Sequence, residues 1–340
     1  MPKTLPTANR RMLVSERRTF ITPRGYKYSF IYVPARDSKT TLLFLHGFPS
    51  QADDWERQVA HFAPLGYGVI APDLLGYGDT SKPDALTSYT FKGMSDDIAQ
   101  LLDHLRVESV VGVGHDFGAN FLGRLAAYHP ARFQALVFLA VGSGKPAQKF
   151  DVEAIQQMTK KMAGFVMFGY LSWLGGKEDP HGVLEEHARS AMSLLFAEDN
   201  SAWRIWLHPL GAMKQFVTED KQIPVGNWYT SAMQDRHLEV FGAKDGYKGA
   251  TRWYRMLVTN ASLEEEQSIA ETSLEQPSII VADAQSMPPQ MGMLAEWVPN
   301  LTPKELESGH WTHIECAEQV NQIITEHIEA LGARELVRSE

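Results

Sequence analysis

Gly112-Val113-Gly114-His115-Asp116-Phe117-Gly118 decides how this chain is read. Strand-forming Val110, Val111 and Val113 lead up to and into it, and the helix-compatible residues 119–127 follow at once. A strand that enters a helix through glycine-x-nucleophile-x-glycine is a nucleophile elbow. Its glycines permit a strained turn that lifts one side chain clear of the backbone. The lifted residue is Asp116, where acyl-transfer enzymes carry serine, so the chemistry implied is attack on a saturated carbon. The same glycines approximate the dinucleotide-binding pattern G-x-G-x-x-G, but with one residue too many. The apolar strand that follows, residues 135–141, also ends without the acidic residue that a ribose would need.

Outward from this elbow, strands and helices alternate. Residues 26–33, 41–45, 68–71, 109–113 and 135–141 read as strands, the last a continuous apolar run suited to a buried parallel sheet. Residues 53–62 and 91–105 read as helices. From residue 142 to about 262 the pattern turns helical and rich in methionine and tryptophan, punctuated by Gly175-Gly176, Asp179-Pro180 and Pro224-Val225-Gly226. A strand at 277–282 resumes the rhythm, with helices near 291–297 and over 317–331. The expected architecture is an α/β domain with a mostly parallel central sheet flanked by helices and an inserted helical cap. Its core spans 1–141 and 265–340, and the cap spans 142–264.

Composition fits that plan. The 340 residues suit one α/β core with an insertion, and 44% hydrophobic residues are enough to fill it. A net charge of −9 gives no sign of nucleic-acid binding or of docking on anionic lipid. Cys316 is the sole cysteine, so no disulfide forms within the chain and a reducing compartment is expected. Residues 1–20 carry no apolar leader, no stretch approaches a membrane span, and the last four residues form no sorting tag, which together point to the cytoplasm. Nothing in the chain speaks to its oligomeric state.

Three titratable residues stand at the ends of expected strands. Asp116 follows one, Asp283 closes the strand at 278–282, and His310 lies in Ser308-Gly309-His310-Trp311-Thr312 before the last helix. Nucleophile, acid, histidine is the chain order of α/β-hydrolases, whose loops converge at the carboxyl ends of the strands. In that order His310 would deprotonate a water and Asp283 would set its tautomer; Asp220, Glu271 and Glu307 are rivals for the acid. Leu45-His46-Gly47-Phe48-Pro49 occupies the place of an oxyanion loop, where the N–H groups of Phe48 and Phe117 would receive a developing negative charge. Asp73-Leu74-Leu75-Gly76-Tyr77-Gly78 reads as a structural turn, His46 and His115 as scaffold hydrogen-bonders, and His313 as structural or exposed. His310 and His313 lack an evident third ligand, so neither a metal nor a cofactor is expected.

With these residues in place, the chain resembles the soluble epoxide hydrolases of the α/β-hydrolase superfamily from about Thr19 to Leu331. The resemblance rests on His46-Gly47-Phe48-Pro49, Gly114-His115-Asp116-Phe117-Gly118 and Gly309-His310-Trp311-Thr312. Asn227-Trp228-Tyr229 and Arg252-Trp253-Tyr254-Arg255 add weaker matches in the cap. The resemblance implies two cap tyrosines that grip an epoxide oxygen: Tyr170 and Tyr254, with Tyr229 as a rival. The chain departs from the family at Phe117, where tryptophan is usual, and at the acid, where a gapless match would fall on Ala284 rather than Asp283.

Such residues belong together chemically. Aspartate is already anionic at neutral pH and needs no base, and two phenols can hydrogen-bond and protonate a leaving alkoxide. The resulting ester of Asp116 would be hydrolysed by water that His310 activates, giving a vicinal diol. A haloalkane dehalogenase shares the aspartate but needs N–H donors for the halide, and a fluoroacetate dehalogenase would carry arginine beside the nucleophile. A hydrolase-fold biosynthetic enzyme or a binder with altered activity is a further alternative. Seven of the 13 methionines and five of the eight tryptophans fall in the cap, which implies a small hydrophobic epoxide as substrate.

Overall fold

The computed structural model describes residues 16–269 and 271–339. Most of residues 1–20, read above for a leader, lie outside the described residues.

Eight strands form one sheet: β1 (Glu16–Ile21), β2 (Lys27–Val33), β3 (Thr41–Leu45), β4 (Gly68–Pro72), β5 (Val110–His115), β6 (Phe133–Leu139), β7 (Ser278–Ala282) and β8 (Leu301–Glu305). Their order is β1-β2-β4-β3-β5-β6-β7-β8. The β1–β2 and β2–β4 pairs are antiparallel, and every other pair is parallel. β3, β4, β5 and β7 are buried along their whole length, which is why their sequences are apolar apart from Thr41, His115 and Ser278 at their ends. β1 and β8, the two edges, were not anticipated from the sequence. Both are largely exposed, and they carry Glu16-Arg17-Arg18 and Pro303-Lys304-Glu305, residues that blunt an edge against further pairing and mask the strand pattern.

Helices cover both faces. α1 (Glu56–Phe62), α2 (Phe91–His104) and α3 (Phe117–Tyr128) precede the inserted region. Between β6 and β7 the described residues form helices from α4 (Val152–Ala163) to α12 (Leu263–Glu266), including α5 (Gly169–Leu174), α8 (Ser201–Trp206) and α11 (Lys248–Val258). α13 (Met287–Leu294), α14 (Thr312–Glu315) and α15 (Ala317–Ser339) complete the chain. α13 starts earlier than periodicity implied, because Pro288 and Pro289 occupy its first turn, where the missing N–H removes no hydrogen bond.

Strand alternation sorts the core into two layers. Leu42, Phe44, Val111 and Val113 pack on one face with Trp55, Phe62 and Val320. Leu43, Leu45 and Phe138 pack on the other with Phe121, Leu122 and the inserted helices. Trp253 of α11 ties the insertion to the sheet domain. Its indole N–H donates to the Leu75 carbonyl at 2.8 Å, and its ring meets Phe117, Phe121 and Tyr77 edge-on. Phe48, Asp116, Asp283 and His310 all follow the carboxyl ends of parallel strands and so face the underside of that insertion.

Candidate active site

Asp116 sits between β5 and α3 with φ 53° and ψ −123°, a conformation that costs a non-glycine residue about 1–3 kcal/mol. The surroundings enforce it. The Asp116 carbonyl accepts the N–H groups of Ala119 and Asn120 at 2.9 and 3.1 Å, and a Cβ on Gly118 would run into the Leu45 carbonyl. Gly47 is equally constrained, since a side chain there would collide with the Asp116 carboxylate.

The carboxylate is held asymmetrically. Phe48 N–H donates to Oδ1 at 3.0 Å, while Oδ2 lies 3.5 Å from His310 Nε2. The second distance exceeds that of a charge-assisted hydrogen bond, so Oδ2 is the freer oxygen. Phe117 N–H, at the first position of α3, is one of the unpaired donors of that helix start. Burial favours the neutral acid, but the proximity of His310, with help from His115 and Phe48 N–H, outweighs it and holds the Asp116 pKa at about 2.

Two tyrosines close the site from above. Tyr254 packs edge-on against Phe48 and Phe117, each 4.8 Å between ring centroids, and Tyr170 meets Tyr254 at 6.0 Å. Neither hydroxyl has a hydrogen-bond partner among the described residues. Burial raises both phenols above their ordinary pKa. The Asp116 charge adds to this for Tyr170, and Tyr170 and then Asp116 add to it for Tyr254, so both remain protonated donors. Tyr229 does not share this setting. It is buried, stacked on Phe196 at 4.0 Å, with its hydroxyl 3.2 Å from His237 Nδ1.

The alpha/beta hydrolase fold family matches residues 40–317. The chain belongs to that family. Among curated relatives of this hydrolase, the rat bifunctional epoxide hydrolase 2 is 24% identical over 293 residues, covering 84% of this chain and 51% of its own length. The chain therefore spans about half of that relative. Epoxide hydrolase A of Mycobacterium tuberculosis is 27% identical, covering 71% of this chain and 74% of its own. An epoxide hydrolase of Caballeronia sordidicola is 25% identical, covering 89% and 92% respectively. In three dimensions, epoxide hydrolase A of Mycobacterium thermoresistibile superposes with a TM-score of 0.77 at 23% identity, covering 93% of this chain and 98% of its own.

The hydrolase departs from expectation at the acid. Asp283 Oδ1 accepts the backbone N–H groups of Gln285 and Ser286 at 2.9 and 3.2 Å, a local turn that takes up its carboxylate. Asp116 provides the single carboxylate paired with His310 among the described residues. The rivals are also elsewhere: Asp220 pairs with His187, and Glu271 accepts Ser273 N–H.

Other residues have clear positions. His46 donates from Nδ1 to Gly47 O at 2.9 Å and accepts Leu74 N–H at Nε2; burial lowers its pKa to about 4, so it stays neutral. Buried Asp73 accepts Ala52 and Asp79 N–H groups and pairs with Arg17, as a structural turn would. His313 is fully buried between Trp55 and His115. Two neighbours of His310 were not singled out by the sequence: the Trp203 ring, 5.3 Å from its own, and Glu315, whose carboxylate accepts the N–H groups of Gly309 and Trp311 on either side of it. Among the described residues no group of His, Cys, Asp or Glu side chains is arranged to hold a metal, and no helix is long and apolar enough to cross a membrane.

Proposed function

We propose that this chain opens a hydrophobic epoxide to a vicinal diol through a covalent ester of Asp116. The observation that carries the reading is a carboxylate on the elbow, its pKa depressed to about 2, beneath buried Tyr254 and half-buried Tyr170, whose hydroxyls have no partner among the described residues. Asp116 Oδ2 attacks an epoxide carbon, the carbon–oxygen bond breaks, and the alkoxide takes a proton from Tyr170 or Tyr254. Oδ1 becomes the ester carbonyl, already held by Phe48 N–H. His310 Nε2 then removes a proton from a water that attacks the Asp116 carboxyl carbon, and the oxyanion on Oδ1 is received by Phe48 and Phe117 N–H. Each such donor contributes roughly 3–4 kcal/mol to the transition state. Collapse breaks the Cγ–Oδ2 bond, the departing diol oxygen takes the proton held by His310, and the proton on the new Asp116 carboxyl group returns to the tyrosinate, restoring the resting site.

The names of the relatives support this reading, since the three described above are epoxide hydrolases. Halide release is disfavoured because the indole N–H of Trp203, close to His310, already donates to Leu194 O at 2.8 Å. Phe48, Phe117 and Trp203 make the surroundings apolar, in keeping with a small hydrophobic epoxide. We place the reaction in the cytoplasm, on the single cysteine, and assign residues 142–264 as the cap. The test uses styrene oxide as probe: wild-type protein forms the diol, and His310→Gln accumulates an adduct of the substrate's mass on the Asp116 peptide. An unmodified variant after exposure would refute the ester.

A further inference from the structure

We propose that Glu315, rather than Asp283, is the positioning residue for His310. The inference rests on the epoxide-opening reading and names the device that aims its histidine. In a triad, a carboxylate on Nδ1 sets the tautomer and direction of the ring. Here Nδ1 has no such partner among the described residues, and Asp283 is bonded within its own turn.

The His310 ring is aimed through its backbone instead. One Glu315 carboxylate oxygen accepts Gly309 N–H at 2.7 Å and the other accepts Trp311 N–H at 2.9 Å, so a single side chain grips the peptide groups on both sides of His310. The His310 carbonyl between them accepts a hydrogen bond from His115 Nε2–H at 2.8 Å. Gly309 leaves room for the device: a Cβ there would lie 2.3 Å from Asn200 Nδ2 and 2.7 and 2.8 Å from the two Glu315 oxygens, so a side chain would displace one or the other. The next residue is pinned as well, because Trp311 donates its indole N–H to Leu195 O in the insertion at 2.8 Å. Hydrogen bonds to a carboxylate are about twice as strong as neutral ones, so Glu315 holds the loop backbone firmly on both sides of His310. A reacting group displaced by about 1 Å can lose a hundredfold in rate, so the brace acts on the step His310 performs.

The two chemical steps separate this role from simple loop stability. Glu315→Ala, Glu315→Gln and Asp283→Asn are exposed to styrene oxide, and ester formation and ester breakdown are timed by quenched-flow mass spectrometry. Glu315→Ala should form the Asp116 ester at the wild-type rate and break it down on the order of ten- to a hundredfold more slowly, so that the adduct accumulates. Glu315→Gln keeps one accepting oxygen and should fall between the two. Asp283→Asn should match wild type in both steps. Ester breakdown at the wild-type rate in Glu315→Ala, or an adduct trapped by Asp283→Asn, overturns the assignment. Equal loss of both steps in Glu315→Ala and Glu315→Gln, with a lowered melting temperature, reduces Glu315 to a structural brace and overturns it too. Absence of any adduct in both wild type and His310→Gln removes the ester itself, and the positioning role with it.

Discussion

The ends of β5 and β7 lie one strand apart on the same sheet, yet they are built in opposite ways. After β5, Asp116 is held in a left-handed turn by two backbone hydrogen bonds to its carbonyl, one N–H on its carboxylate and two glycines that tolerate no side chain. After β7, Asp283 is a half-exposed residue whose carboxylate closes its own turn. The first site is over-determined, and strain there is maintained by everything around it. The second is under no such constraint, and the histidine it was expected to orient is steadied from α14 instead. In the proposed mechanism the nucleophile is specified by backbone geometry, whereas the supporting carboxylate comes from another element.

The contrast predicts a steep gradient of mutational effects. Asp116→Asn should abolish turnover, a fall on the order of 10⁴-fold or more in kcat, with the fold intact by circular dichroism. Residual activity within tenfold of wild type would place the nucleophile elsewhere. Gly118→Ala should destabilise the protein by about 3 kcal/mol or more, read as a lowered denaturation midpoint, because its Cβ has no space beside the Leu45 carbonyl. A midpoint unchanged by that substitution would show the elbow to be more pliable than its contacts imply.

Smaller effects should follow at the tyrosines. Tyr170→Phe and Tyr254→Phe should each slow ester formation roughly tenfold to a hundredfold, and the double change should nearly eliminate it, as loss of acid catalysis predicts. Ester formation at the wild-type rate in both single variants would reopen the halide-displacing alternative, checked by a halide-release assay. The smallest effect concerns pH. Burial pushes the Asp116 carboxyl up, and His310, His115 and the Phe48 N–H more than reverse this, to about 2. A depressed acid stays ionised until the pH falls through its folded value, so the rate of ester formation should stay level from neutrality to about pH 4, where an ordinary aspartate is half protonated. A rate that halves near pH 4 in folded protein would contradict the depressed value.

Much of this arrangement was legible in the chain because it is written in local pattern. The elbow glycines, the buried strands and the histidine loop are short motifs that sequence spacing exposes. The edges β1 and β8 were not, since their charges and Pro303 serve to prevent pairing and so resemble loop residues. Among the cap tyrosines, position alone could not separate Tyr229 from Tyr170 and Tyr254; the stacking of Tyr229 on Phe196 and its contact with His237 do so. Asp283 fitted the chain order but not the side-chain geometry, which depends on how its turn folds. Glu315 escaped notice because a carboxylate that binds backbone N–H groups leaves no periodicity or pair in the sequence.

The most direct test is a single turnover of styrene oxide by excess enzyme in heavy-oxygen water, followed by mass analysis of the peptide that contains Asp116 and of the diol. Attack by Asp116 followed by water at its carboxyl carbon leaves the heavy oxygen in the Asp116 carboxylate and the ordinary oxygen in the diol. Heavy oxygen found in the diol, with the Asp116 peptide unlabelled, would mean that water attacks the epoxide directly and that Asp116 is not the nucleophile.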